Sequence, residues 1–364
     1  MARAETDFTE QGHPQRGMHF LISSAALVII LWGIHYAQSV LALVLVSGFL
    51  AVLGTPAVLW LTRKRMPPAV AVLFVIAGMT VILLAVALLA GLSIKRILDS
   101  WPFYQTRLQQ QVFALKTLSA RMGFAINDKV LLGYVTPEAL RSLSGLLIAR
   151  LGAVLSGTAL VLLTVSFILF EAPSFPVKLR AALGEPRAHF PDFVRFVNDI
   201  SRYVVIQTAV SLTVGVLAAA WLAVLRVDFA VLFGLLAFLL NYVPNVGSVI
   251  AIIPAALLTF IQFGAGRAAL AVAGYVVFTF VLGNVVQPRL MGRKLGLSTL
   301  VVFLSLVFWG SLLGLAGMVL CVPLTMVLKF GLERSESTQF IAALLDRERS
   351  GASAPAAPQR DAKD

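Results

Sequence analysis

The chain has 364 residues, enough for roughly two or three water-soluble domains, but 59% of it is hydrophobic and 13% charged, about half the charged share of a soluble protein. With a mean hydropathy of +0.91 and apolar runs near the ~20 residues that span a bilayer, a soluble fold is excluded and an all-α polytopic membrane protein is expected. The formal charge of +12 does not point to nucleic acid, because no basic face interleaved with exposed aromatics accompanies it. Instead, the basic residues flank apolar runs, as in Arg63-Lys64-Arg65 and at Arg289, Arg293 and Lys294, where the positive-inside rule places them on cytoplasmic loops.

In chain order, residues 1–17 mix acids with Arg3 and Arg16 and read as an uncleaved cytoplasmic start. Spans follow at 18–36, 40–61 and 69–92, making 18–93 a group of three transmembrane helices. The basic triplet between the second and third puts that loop, and by alternation the N-terminus, in the cytoplasm. From Ile94 to Met122 apolar residues recur at three- and four-residue steps with Lys95, Arg96, Arg107, Lys116 and Arg121 between them. This predicts an amphipathic helix in an extramembrane segment, 94–150, lying on the membrane surface or against a neighbouring copy. Thr136-Pro137-Glu138 opens a further helix, with Thr as cap and Pro at its first position, that runs into the fourth span at 151–170. Prolines 173, 176, 186 and 191 mark a cytoplasmic connector up to residue 202, and the fifth span is 203–225.

The stretch 229–261 is too long for one crossing and too short for two with a loop. Its middle, Asn241-Tyr-Val-Pro-Asn-Val-Gly-Ser248, gathers helix breakers and amides, and each apolar arm reaches roughly 18 Å, a little over half the hydrocarbon thickness. A re-entrant hairpin with its tip near the midplane is the expected shape, ordinary tilted spans being the competing one. The layout recurs: 268–286 is a full span and 298–330 a second long stretch broken at Gly310, Gly314 and Gly317. The second arms are alike, Gly247-Ser-Val-Ile-Ala-Ile-Ile-Pro254 against Gly317-Met-Val-Leu-Cys-Val-Pro323. Units 203–262 and 263–333 then form an inverted repeat, giving about six spans plus two hairpins. Asn284 and Gln287, on one helix face, end the sixth span, where Pro288 stops the helix. The tail, 334–364, is cytoplasmic and disordered from Ser350.

Several of these motifs resemble one family. Asn241-Tyr-Val-Pro-Asn-Val-Gly-Ser-Val-Ile-Ala, Gln287-Pro-Arg-Leu-Met-Gly-Arg-Lys-Leu-Gly-Leu-Ser298, Phe308-Trp-Gly310, Gly317-Met and Val322-Pro-Leu-Thr325 are similar to the bacterial autoinducer-2 exporter (PerM-like permease) family. The resemblance implies a multi-pass inner-membrane transporter, an extended segment before the fourth span, and homo-oligomers. It also implies export of the quorum-sensing signal or, in other branches, sodium/proton exchange. Where the family commonly has Trp-Gly-Trp and Gly-Pro, this chain has Trp309-Gly-Ser311 and Gly314-Leu315.

The charge census bears on mechanism: no Asp or Glu lies between Phe229 and Leu332. A proton-titrating carboxylate within the hairpins is therefore excluded, and a small polar, largely uncharged solute is favoured. Its lining would be Asn241, Pro244, Asn245, Gly247, Ser248, Asn284 and Gln287, with Pro254, Pro288, Gly292, Gly310, Gly314, Gly317 and Pro323 as hinges. The same amides, with opened backbone carbonyls, suit sodium too. Glu171 and Asp228, at span ends, are the candidates for coupling sodium or protons in an antiporter. No nucleophile elbow, metal-protease motif or paired intramembrane acid occurs, and lone Cys321 provides neither disulfide nor thiolate site. Neither metal nor cofactor is expected, nor catalysis, and a scaffold role would leave the amide-rich breaks without purpose.

Overall fold

The computed structural model describes residues 13–121, 157–172, 174, 178, 190–291 and 298–333. The expected start before residue 13, the capped helix at Thr136, Gly292 and the tail lie outside them. Among the described residues the chain is all helical: α1 (His13–Tyr36), α2 (Gln38–Arg63), α3 (Pro68–Asp99), α4 (Trp101–Arg121), α5 (Gly157–Glu171), α6 (Phe190–Val224), α7 (Ala230–Leu240), α8 (Val246–Phe263), α9 (Ala265–Val281), a π-turn (Leu282–Val286), α10 (Gln287–Met291) and α11 (Thr299–Glu333). Six stretches of the described residues are long and apolar enough to cross a membrane: Gln38–Arg63, Pro68–Asp99, Val194–Val224, Val246–Phe263, Ala265–Met291 and Thr299–Glu333. Exposed Leu, Val, Ile and Phe cover their outer faces, the surface expected where hydrocarbon replaces water as solvent.

Three helix boundaries differ from the sequence reading. α3 continues through Ile94 to Asp99, and the amphipathic helix begins only at Trp101; at 1.5 Å per residue α3 is about 48 Å long and projects beyond a ~30 Å core. α6 starts at Phe190, absorbing the last part of the expected connector, with Pro191 in the first turn where its missing N–H has no helical partner. Pro288 does not stop the sixth span. The helix runs on to Met291, because the π-turn before it widens the backbone and removes the clash between the pyrrolidine ring and the carbonyl four residues earlier.

Both broken helices turn back on themselves. α7 and α8 are joined at 241–245 and pack against each other, and α7 packs along α6. In α11 the chain reverses at Gly314, whose φ of 62° and ψ of −142° suit only glycine. Trp309 Nε1 donates to Thr325 Oγ1 at 3.1 Å, although sixteen residues of straight helix would hold them about 24 Å apart. The same device closes both reversals. A Cβ on Gly247 would lie 1.7 Å from the Leu240 carbonyl oxygen, and one on Gly317 would lie 1.9 Å from that of Trp309. Each glycine is followed by a proline inside its helix, Pro254 and Pro323.

The two reversals meet in one core. Val243 at the first tip packs with Leu306, Cys321 and Val322 from both arms of α11, Tyr203 and Val204 of α6, and Met291. Partly buried Phe49, Val52 and Leu53 of α2 lie against this cluster. α6 is thus the common wall. It meets α7 so closely that a Cβ on Gly215 would sit 2.7 Å from the Gly234 carbonyl oxygen, the small-residue contact that lets membrane helices associate without a hydrophobic drive.

Candidate solute site

α6 presents Gln207 and Ser211 on one face, four residues apart. Both are buried, with 6% and 0% of their surface exposed, and the tip of the α7–α8 reversal lands on them. Asn241, the C-terminal cap of α7, donates from Nδ2 to Ser211 Oγ at 2.9 Å, while Gln207 Nε2 donates to the Asn241 carbonyl oxygen at 2.9 Å. Gln287 Nε2 donates to Gln207 Oε1 at 2.7 Å. Beside this chain Tyr242 donates through its hydroxyl to Thr208 Oγ1 at 2.9 Å. Three separately interrupted or facing elements are therefore tied together by neutral amides and hydroxyls within an apolar bundle.

Gln287 joins because of the π-turn. The inward-facing residues of this helix include Ala271, Tyr275 and, after the turn, Gln287 and Met291. In an unbroken α-helix the position equivalent to Ala271 and Tyr275 after Leu282 falls on Val286; the one wide turn, in which the Gln287 N–H donates to the Leu282 carbonyl, advances the face to the amide.

The other expected residues fall elsewhere. Asn284 is exposed and donates to the Phe280 carbonyl of its own helix at 3.2 Å. Asn245 is exposed and precedes α8 at φ 62° and ψ −41°, in a tight turn closed by the Val246 N–H donating to the Pro244 carbonyl at 2.6 Å. Pro244 lies in the turn, Ser248 is half-buried in the first turn of α8, and Gly247 and Gly317 are contact points between arms, as is Gly310, whose Cβ would meet Met318 at 3.0 Å. Gln207, Thr208, Ser211 and Tyr242 are the residues that sequence reasoning missed as site members. Their signal was a glutamine with a serine one turn on inside an otherwise apolar span, where each polar group asks for a partner.

The two acids stand away from this network. Glu171 ends α5 and pairs with Lys178 at 2.5 Å, both side chains well exposed. Asp228 lies in the turn between α6 and α7, where Tyr104 of α4 donates to Oδ2 at 2.8 Å and Gln262 of α8 donates to the same oxygen. The Asp228 backbone N–H returns a bond to Gln262 Oε1 at 3.2 Å. α4 is thereby fastened to the entry and exit of the α7–α8 reversal. Tyr104 is only 3% exposed, and burial, then the bond to and charge of Asp228, push its hydroxyl from 10 up to about 12. Since the folded value lies above the unfolded one, this contact is fully present below about pH 10 and is lost as pH climbs through about 12. A difference absorbance titration of wild type minus Tyr104→Phe is expected to show a tyrosinate transition near 12. Tyr104→Phe or Asp228→Asn is expected to weaken the α4 dock by about 1–2 kcal/mol, read as faster amide exchange in α4 and at Gln262–Gly264.

Comparison with known proteins decides the family. A family model described as "AI-2E family transporter" matches residues 25–336. The chain belongs to the AI-2E transporter family. It is 40% identical over 332 residues to the AI-2 transport protein TqsA of Escherichia coli strain K12, covering 90% of this chain and 96% of that one. It is 35% identical over 329 residues to the transport protein named YhhT of the same strain, covering 90% and 94%. A Haemophilus influenzae relative, also named for transport, is 33% identical over 331 residues, covering 89% of this chain and 95% of its own. These relatives are named as transport proteins, and this AI-2E member is a membrane transporter rather than an enzyme.

Proposed function

We propose that this transporter moves a small, polar, largely uncharged solute, a hydroxylated molecule of the AI-2 kind, across the bacterial inner membrane through the cluster of Gln207, Ser211, Asn241 and Gln287. The observation that carries this reading is the neutral hydrogen-bonded chain joining α6, the first tip and the π-turn. Amides and hydroxyls can exchange these mutual bonds for bonds to a polyol, whereas an isolated ion would demand a countercharge. The two reversals act as re-entrant hairpins of an inverted repeat in this reading, with the cluster near the midplane. Supporting it are the matched glycine-on-carbonyl contacts at Gly247 and Gly317 and the meeting of both reversals around Val243. N- and C-termini face the cytoplasm, as the basic Arg63-Lys64-Arg65 turn suggests. Homo-oligomers belong to the same reading and rest on the family resemblance, as does export as the direction.

The test is flux of AI-2 in liposomes containing the purified protein, with and without sodium and pH gradients. Wild type is expected to exceed empty liposomes, and Asn241→Leu to reduce its flux at least tenfold, about the worth of one hydrogen bond made to the solute. Equal flux in wild type and Asn241→Leu overturns the assignment of the site. The antiporter alternative is without a supporting contact, since Asp228 and Glu171 each hold a structural partner; full pH-dependent sodium flux in a Glu171→Gln, Asp228→Asn variant would remove these acids from coupling, and no such flux in wild-type liposomes would remove the alternative itself.

A further inference from the structure

We propose that the Tyr275 hydroxyl is a second contact for the transported solute, on the wall of α6 about 18 Å along the helix from Gln287; this rests on the function proposed above. Tyr275 of α9 is 5% exposed, and its hydroxyl is buried with no hydrogen-bond partner among the described residues. Tyr242, also buried, donates to Thr208. A buried tyrosine ordinarily finds a partner, and phenylalanine fills the same volume without an unpaired O–H. The hydroxyl therefore marks a partner that is absent from this conformation.

The described residues around it are apolar where they pack closest. Tyr275 packs with Val214 and Ala218 of α6, Ala237 of α7 and Ala251 of α8, an apolar cluster. Yet Val214 and Ala218 continue the α6 face that carries Gln207 and Ser211, so the amide cluster and the unpaired hydroxyl share one wall. α9 is held at this level by Trp221 of α6, which donates to the Leu270 carbonyl at 3.2 Å and covers Gly274 so closely that a Cβ there would lie 2.2 Å from the indole nitrogen. The hydroxyl is thus fixed in place, facing a seam of alanines. Parting such a seam exposes little apolar surface.

The chemistry selects the solute class. A phenol both donates and accepts one hydrogen bond, which matches a solute hydroxyl. A proton relay is not served, since no Asp or Glu occurs from Phe229 to Leu332.

The experiment compares wild type and Tyr275→Phe in liposomes, using AI-2 and a series of short linear polyols and their mono-deoxy analogues as probes. Tyr275→Phe is expected to raise KM about tenfold, the effect of one hydrogen bond, and to handle one deoxy analogue as well as its parent, while wild type discriminates between them. Without solute its Tm should equal or exceed that of wild type, because an unpaired buried O–H has been removed. An unchanged KM beside active wild type overturns this inference alone. A Tm that falls together with lost flux gives the hydroxyl a structural partner and also overturns it. Wild-type liposomes that move none of the probes overturn the function reading and this inference with it.

Discussion

Replacing Gly247 or Gly317 with alanine is expected to destabilise the protein by about 3 kcal/mol or more, at the upper end of overpacking effects. Each new methyl would meet a backbone carbonyl, at 1.7 Å from Leu240 and 1.9 Å from Trp309. Neither carbonyl belongs to a flexible side chain, so the paired arms must part. Parting also breaks what the reversals assemble: Val243 leaves the core it shares with Leu306, Cys321 and Val322, and Asn241 leaves Ser211. Thermal unfolding in detergent, followed by tryptophan fluorescence, checks the expectation. Two further glycines set the scale. Gly314→Ala meets open space but must adopt φ 62°, a strain of roughly 1–3 kcal/mol. Gly78→Ala, in α3 with nothing near its Cβ, should be neutral or up to about 1 kcal/mol stabilising. If all four variants melt alike, close contact between arms is not what holds the reversals.

Gln207→Leu is expected to remove both stability and transport. Gln207 donates to the Asn241 carbonyl and accepts from Gln287, so its loss strands two polar groups at about 1–3 kcal/mol each. The pairing also separates structure from function. In the double variant Gln207→Leu, Gln287→Leu one of those orphans disappears with its partner, and replacing both ends of a hydrogen bond by apolar groups approaches neutrality. Tm should therefore recover part of the loss, while AI-2 flux remains at least tenfold down because the wall has lost two amides. Flux that recovers along with Tm would show the amides to be internal braces and nothing more.

Much of the architecture was legible in the sequence, and the reasons are specific. The membrane class follows from composition, and the two reversals announce themselves through Asn, Pro and Gly clustered inside apolar stretches, with Gly247 and Gly317 visible as matched positions. Asn241 and Gln287 were picked out because amides inside lipid are costly without a purpose. Their partners were not, because Ser and Thr in a span commonly bond their own helix, as Thr208 also does to Val204, and Gln207 looked like background in such company. Helix ends were misjudged where α3 and α6 run past the hydrophobic boundary: backbone hydrogen bonding propagates a helix after the apolar pattern has ended. The docking of α4 on Asp228 spans 124 positions, a separation no local pattern encodes.

The widened turn at Leu282–Val286 has an evolutionary corollary. It stores one surplus residue between two helical halves without rotating either out of place. A homologous chain shorter by a single codon there could relax to ordinary helical winding and still offer its glutamine to the neighbouring rod. An alignment gap at that spot would then record a silent change of winding, whereas equal length with the winding relaxed would swap amide for valine on the wall.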